Sequence, residues 1–382
     1  MQMKDYYNKM IKIVTIIGAR PQIIKAAALS RAIKENFSNE ITEVIVHTGQ
    51  HYDENMSQVF FDELGIPAPN YNLGVGSGNH GVQTSKMIEG IEEILLKEKP
   101  NYLVVYGDTN STLAGAIAAS KIHIPIVHIE AGLRSYNKAM PEEINRICCD
   151  HCSTMLFSPT ATGYNNLIKE GFNPENKKPY TIDNPGIYHC GDVMYDNSLY
   201  FSSTVNCQQS TANSQYILCT IHRNNNTDEP ERLSSIVNAL LKLSEEKEII
   251  IPLHPRTKKL LDVNLSSEIY DKFINSNRIH IIPPASFLEM IRLEKNADMV
   301  ITDSGGVQKE AFFFKKPCII IRSETEWKEI VECGAAVIAD ANEEKIIDAY
   351  YQFMQKENQD YPEYFGDGKS AVFICNELIN NK

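Results

Sequence analysis

By residue type and spacing, three carboxylates and the basic groups around them are the side chains of this 382-residue chain best suited to chemistry. Glu130 directly follows the apolar run at 124–129, Asp108 follows another at 102–106, and Glu142 and Glu143 come just after Pro141. Carboxylates that face one ligand have their pKa values pushed apart, so that one can donate a proton while another accepts it. Each has an ordinary alternative: Asp108 could cap a helix, and Glu142 and Glu143 could compensate a helix dipole. A charge immediately after a buried strand, as at Glu130, is either paired or functional. Gly18-Ala19-Arg20-Pro21, with Lys25 one turn further on, is a strand-to-helix turn whose free N–H groups and guanidinium suit phosphate or carboxylate. It is not a P-loop, because no G-K-[ST] follows. A second turn of this kind, Ser304-Gly305-Gly306, follows MVIT, and its paired glycines let the backbone approach a phosphate closely. His222-Arg223, after YILCTI, adds further donors, although a His after a strand is more often structural.

These side chains need elements that end at one edge. Apolar runs at 11–17, 44–48, 102–106 and 124–129 read as strands and alternate with helical stretches within 18–36 and at 83–97 and 110–121. Pro141 at a first helical position marks another helix start. The rhythm restarts with strands at 216–221, 249–253, 279–282, 299–302 and 317–321, preceded by a short strand at 188–190 and a helix from 192. Repeated βα units mean parallel, doubly wound sheets, and ligands in such sheets sit beyond the carboxyl ends of the strands. The polar, Pro- and Asn-rich stretch 171–185 reads as a linker, and 208–214 is a second polar patch. The expectation is an α/β protein of two Rossmann-like lobes, residues 1–185 and 186–365, with the active site in the cleft between them. The amphipathic tail 366–382 would pack back on the first lobe.

Length and composition agree with this. A chain of 382 residues exceeds what one core usually supports, and 43% hydrophobic with 23% charged residues is ordinary for a globular protein. The formal charge of -12 argues against nucleic acid or an anionic membrane as partner. Nine scattered cysteines and a polar start, MQMKDYYNKM, point to reduced thiols in the cytoplasm. Cys148, Cys149 and Cys152 with His151 lack a second C-x-x-C at zinc-site spacing and read as buried small hydrophobes, so no metal is expected. No apolar run is long enough for a membrane span.

Anion-seeking turns in both halves, with carboxylates on one side, suggest a ligand bearing a diphosphate and a carbon centre that exchanges a proton. The absence of G-x-G-x-x-G after the first strand disfavours a dehydrogenase. The motifs GARPQIIK, TGQH, GDTNST, HIEAGLRS, MPEEINR, IHR and TDSGGVQKEA, spread in order over both halves, resemble the non-hydrolysing UDP-N-acetylglucosamine 2-epimerase family. Within it, SETEW at 323–327 and GDVMYD at 191–196 resemble the branch acting on UDP-2,3-diacetamido-2,3-dideoxyglucuronate.

The resemblance implies a glycosyltransferase-B-like fold, a homodimer, a UDP-sugar substrate, no cofactor, and inversion at the sugar C2 through a glycal, in the making of a surface polysaccharide. It implies acid and base roles for Asp108, Glu130 and Glu142, with Arg146 orienting them and His222 near the phosphates. It places Arg20, Lys25, Gln50, His51, Arg134, Met290, Ser304, Gly305, Gly306, Glu310 and Arg322 in substrate binding, with Glu310 on the ribose hydroxyls and Met290 where an aromatic would cover the base. The chain departs from the pattern in two places. Asn224 to Asn226 stand where basic and acidic residues are expected, and the segments GQHYDENM and NLGVGSGNHGVQTSK lack the Arg of an allosteric substrate site. No second activating nucleotide sugar is therefore expected. Plain UDP-N-acetylglucosamine as substrate, hydrolysis to free N-acetylmannosamine, and a glycosyltransferase on the same fold are the alternatives.

Overall fold

A computed structural model describes residues 10–49, 61, 63–204, 215–356 and 358–381. Gln50 and His51, with most of GQHYDENM, lie outside the described residues, as does the polar patch at 208–214.

The first sheet has seven parallel strands, β1 (Ile11–Ile17), β2 (Ile41–His47), β3 (Tyr71–Asn72), β4 (Tyr102–Tyr106), β5 (Ile126–Ile129), β6 (Met155–Ser158) and β7 (Gly186–His189), in the order β3-β2-β1-β4-β5-β6-β7. The second has six, β8 (Tyr216–Thr220), β9 (Glu248–Pro252), β10 (Ile279–Ile282), β11 (Met299–Thr302), β12 (Cys318–Ile320) and β13 (Ala336–Ile338), in the order β10-β9-β8-β11-β12-β13. In each sheet the order turns back after the first strand formed, between β1 and β4 and between β8 and β11. That reversal opens a crevice at the carboxyl ends, the standard ligand position of a doubly wound sheet. Gly18 to Arg20 follow β1, Asp108 follows β4, and Glu130 follows β5. In the second sheet His222 follows β8 and Ser304 follows β11.

The strands read as near-continuous apolar runs because helices cover both faces. Ile13, Val14 and Ile16 of β1, Val104 and Val105 of β4 and Val127 of β5 are fully buried, each stabilising the fold by roughly 1.5–3 kcal/mol relative to exposure. The second unit has its own core, built on Leu233, Ile236 and Leu240 of the Pro230–Ser244 helix against Ile217, Ile249 and Ile301.

The chain divides into one unit of Met1–Asn197 with Glu363–Lys382 and another of Ser198–Pro362. The expected division at 185 therefore moves to 197. β7 hydrogen-bonds beside β6 as the edge of the first sheet, so residues 186–197 belong with the carboxylates and not with the second unit. The helix Ser370–Asn380 lies in the first unit, packed on the Arg20–Asn36 helix. The Asp196 carboxylate accepts from the backbone N–H of Ser370 (3.1 Å) and Ala371 (2.8 Å) at its start.

Candidate active site

In the first unit β4 ends in Gly107, whose φ of 62° turns the chain sharply, and the next helix, Asn110–Lys121, is capped by Thr109. The capping role open to Asp108 thus falls to its neighbour, and the Asp108 carboxylate is held by the Arg146 guanidinium. Asn145 Nδ2 donates to the Asp108 carbonyl at 2.9 Å. Both partners come from the Pro141–Cys152 helix, which aims Asn145 and Arg146 inward at the end of β4.

Glu130 sits at φ 73°, a left-handed conformation that a non-glycine residue adopts at a cost and that clusters at functional sites. Its carboxylate pairs with Lys25 Nζ, both side chains being about one-eighth exposed. A Cβ at Gly107 would stand 3.1 Å from Lys25 Nζ and 3.8 Å from Glu130 Oε2. Glycine therefore leaves room for this pair and puts the Glu130 carboxylate beside the residue before Asp108. Burial lowers the Arg146 pKa, but the fields of Asp108 and Glu130 and the hydrogen bond to Glu143 more than reverse this, so one permanent cation serves all three carboxylates.

Glu143, beside the expected Glu142, joins this hydrogen-bonded group through Arg146. Glu142 is exposed, whereas Glu143 is buried and accepts from Arg146 at 3.1 Å and from the backbone N–H of Ser135 and Tyr136 at 2.9 Å each. Burial alone would raise the Glu143 carboxyl; these donors hold it below the usual range.

Two cations expected to meet substrate have carboxylate partners in the fold. Lys25 faces Glu130. Arg134 is 5% exposed and bound bidentately to Glu170 (2.7 and 2.6 Å) and to Asp150 (2.7 Å), so its guanidinium ties these elements together. Sequence alone could not separate it from a cleft arginine, because its partners Asp150 and Glu170 lie on other elements. Arg20 is exposed at the start of its helix. The N–H groups of Gly18 and Ala19 are taken by Gln22 Oε1 at 2.9 and 3.2 Å, which leaves that turn less able to hold an anion than its glycine suggests.

In the second unit the turn after β11 behaves differently. The Ser304 hydroxyl caps the Gly305–Phe313 helix, while the first helical N–H groups, of Gly305 and Gly306, meet no protein acceptor among the described residues. Neither glycine has a left-handed φ, and a Cβ at either would meet nothing nearer than 3.6 Å. Among the described residues neither backbone conformation nor a close contact requires glycine there, and the free donors suit an approaching phosphate. Asp303, fully buried, accepts from the N–H of His222 and Arg223 and lies 3.1 Å from His222 Nδ1. Burial would raise the Asp303 carboxyl, and the contacts with His222 and Arg223 bring it below its usual value. His222 is thereby oriented with its other nitrogen outward, its side chain 47% exposed.

Asn226, at a position where the resemblance predicts charge, is buried and bonds Asp303 and the Ile321 carbonyl, a structural role. Arg322 forms a double salt bridge with Glu326 (3.1 and 3.0 Å), and Trp327 Nε1 donates to the Gly305 carbonyl at 2.9 Å, so SETEW folds over the glycine turn. Glu310 is 9% exposed beside the fully buried Glu294. Burial and the Glu310 carboxyl push the Glu294 carboxyl well above the usual carboxylate range. Met290 is half-buried on the Phe287–Asn296 helix.

Among the described residues no group of three or more His, Cys, Asp or Glu is arranged to hold a metal, and no helix is long and apolar enough to cross a membrane.

The sequence model of the UDP-N-acetylglucosamine 2-epimerase family matches residues 32–379. A Methanococcus maripaludis protein named UDP-N-acetylglucosamine 2-epimerase homolog is 48% identical over 97% of this chain and all of its own length. The UDP-2,3-diacetamido-2,3-dideoxy-D-glucuronate 2-epimerase of Pseudomonas aeruginosa is 47% identical over 96% of this chain and 99% of its own. The crystal structure of Methanocaldococcus jannaschii UDP-GlcNAc 2-epimerase in complex with UDP-GlcNAc and UDP superposes with a TM-score of 0.83 at 42% identity, covering 97% of this chain and 100% of that one. With carboxylates at the ends of β4 and β5, an open anion turn after β11, and similarity running from end to end, this glycosyltransferase-B-like chain belongs to the UDP-N-acetylglucosamine 2-epimerase family.

Proposed function

We propose that this sugar-nucleotide 2-epimerase inverts C2 of UDP-2,3-diacetamido-2,3-dideoxyglucuronate, giving the manno epimer for a surface polysaccharide, and works as a homodimer. A carboxylate of the Asp108–Glu130–Glu143 group, with Glu142 at its exposed edge, removes the C2 proton. The C1–O bond breaks, UDP leaves with the electron pair, and a C1=C2 double bond remains. An acid then protonates C2 from the opposite face and UDP re-adds at C1. Abstraction of so weakly acidic a proton requires a positioned base and acid, and the leaving diphosphate requires donors. Gly305, Gly306 and His222 are suited to the diphosphate and Glu310 to the ribose hydroxyls. No step calls for a redox cofactor. The observation that carries the reading is the set of carboxylates held against two cations at the ends of β4 and β5, Glu130 against Lys25 and Asp108 with Glu143 against Arg146.

The choice of substrate rests on the Pseudomonas aeruginosa relative and on SETEW. Plain UDP-N-acetylglucosamine is the second reading, and one observation favours it. Of three cations suited to a glucuronate carboxylate, Arg134 and Arg322 already have carboxylate partners, leaving the exposed Lys138. Both nucleotide sugars, incubated separately with enzyme in heavy water, decide between them. The diacetamido-glucuronate should epimerise faster and gain deuterium at C2. Faster turnover of UDP-N-acetylglucosamine selects the second reading, free N-acetylmannosamine would indicate hydrolysis, and epimerisation without deuterium would exclude proton abstraction.

A further inference from the structure

His128 lies within β5 and is fully buried, two residues before Glu130. Both of its ring nitrogens face oxygen: Nδ1 is 2.7 Å from Asp150 Oδ1, and Nε2 is 2.8 Å from the Gly107 carbonyl. A neutral imidazole has one N–H and could satisfy only one of these acceptors, so both nitrogens donate and the ring is a cation. The far oxygen of Asp150 takes the Gly132 N–H at 3.1 Å and the Arg134 guanidinium at 2.7 Å, and Arg134 passes on to Glu170. The remaining titratable neighbour is the Cys149 thiol, on the same helix as Asp150. Imidazolium, carboxylate, guanidinium and carboxylate thus alternate from the buried His128, Asp150 and Arg134 out to Glu170 at the surface, and their charges cancel along the chain.

The atoms that this chain grips are those of two turns. The Gly107 carbonyl immediately precedes Asp108, and the Gly132 N–H comes two residues after Glu130. We propose that His128 is a positioning residue: a buried imidazolium that, with Asp150, locks the Gly107–Asp108 turn to the Glu130–Gly132 turn and so fixes the two carboxylates relative to each other. The inference rests on the assignment of Asp108 and Glu130 to proton transfer. Burial opposes the charge, and Cys149 and the Asp150 carboxylate outweigh it, holding the imidazolium well above the usual histidine range.

The test joins a spectroscopic and a kinetic measurement. In the intact enzyme labelled with nitrogen-15 at histidine, the His128 ring should show two N–H nitrogens and no titration through the ordinary histidine midpoint of about 6.5. This readout needs no substrate, so it stands whichever nucleotide sugar is turned over. His128→Gln can donate to one side only, and Asp150→Asn removes the counter-charge. Each should lower kcat about a hundredfold, the scale set by a displacement of about 1 Å at a reacting group, with KM moving less than about threefold and UDP binding by calorimetry unchanged. A ring that titrates near 6.5, or kcat within about threefold of wild type in either folded variant, overturns the proposal. Should neither variant fold, the ring titration of the wild-type protein decides.

Discussion

Glu142 and Glu143 are adjacent in sequence and differ only in which side of one helical turn they occupy, yet Glu143 alone is drawn into the protein. It answers three donors, and glutamine in its place keeps one acceptor oxygen for them, turns an N–H group toward the rest and loses the charge that faces Arg146. Glu143→Gln should therefore cost about 1–3 kcal/mol of stability, measured by urea denaturation, whereas Glu142→Gln should stay within about 0.5 kcal/mol. The sign of the pH effect follows from the carboxyl being held below its ordinary value. Its contribution is present above the unfolded pKa and is lost as pH falls through the folded one. Below about pH 4.5 the Tm of the wild type should fall more steeply than that of Glu143→Gln, and parallel slopes would remove Glu143 from this role. At this scale the sequence was legible where an apolar run ends in a charge, as at Asp108 and Glu130. It was silent on which of two neighbouring glutamates turns inward, and on His128, Asp150 and Glu294, because burial of a charge depends on elements far away in the chain. For the same reason the carboxylate partners of Lys25 and Arg134 are not legible in the sequence.

At the scale of the elements, the two glycine-bearing turns invite opposite expectations. Gly107 combines a left-handed φ with a Cβ direction aimed at Lys25 Nζ, so alanine there carries both backbone strain and a collision with the Lys25–Glu130 pair. Gly107→Ala should destabilise the first unit by about 1–2 kcal/mol and lower kcat at least tenfold. Gly305 begins a helix with an ordinary φ, and a Cβ there would make only ordinary contacts, none nearer than 3.6 Å, with Glu326, Arg322 and Trp327, so alanine there should leave stability unchanged or raise it by up to about 1 kcal/mol. It should nonetheless weaken UDP binding at least tenfold by calorimetry, because an added methyl group keeps a phosphate from approaching the free backbone N–H groups as closely as glycine allows. Undiminished UDP affinity in Gly305→Ala would remove the phosphate from that turn. Most strands were readable from their apolar runs, β1, β4, β10 and β11 to the residue. The two-residue β3, four-residue β6 and three-residue β13 were not, and each is defined by the neighbour it pairs with, β2, β5 with β7, and β12. Missing β6 also hid the destination of β7, which would have identified residues 186–189 as an edge of the first sheet.

At the scale of the molecule, the first unit is discontinuous in sequence and is closed by its last helix. The amphipathic pattern of the tail was visible beforehand; the residues that receive it were not, because Asp196, Tyr188 and Tyr102 look like ordinary loop and strand residues. In the fold Asp196 caps the helix start, Tyr188 Oη donates to Glu377 at 2.6 Å, and Tyr102 Oη donates to the Asn381 carbonyl at 3.2 Å. Ile374 and Leu378 on its inner face are fully buried. Leu378→Ala should therefore cost about 2–5 kcal/mol, a loss confined to the unit that owns the contact. The chain carries a single tryptophan, Trp327, which is buried at 4% exposure in the second unit and so reports on that unit alone. In urea, far-ultraviolet circular dichroism of Leu378→Ala should show an early transition absent from the wild type, while the Trp327 fluorescence midpoint stays in place. Movement of both signals together would mean that the two units unfold as one, and that the C-terminal helix stabilises the whole chain rather than the carboxylate-bearing unit.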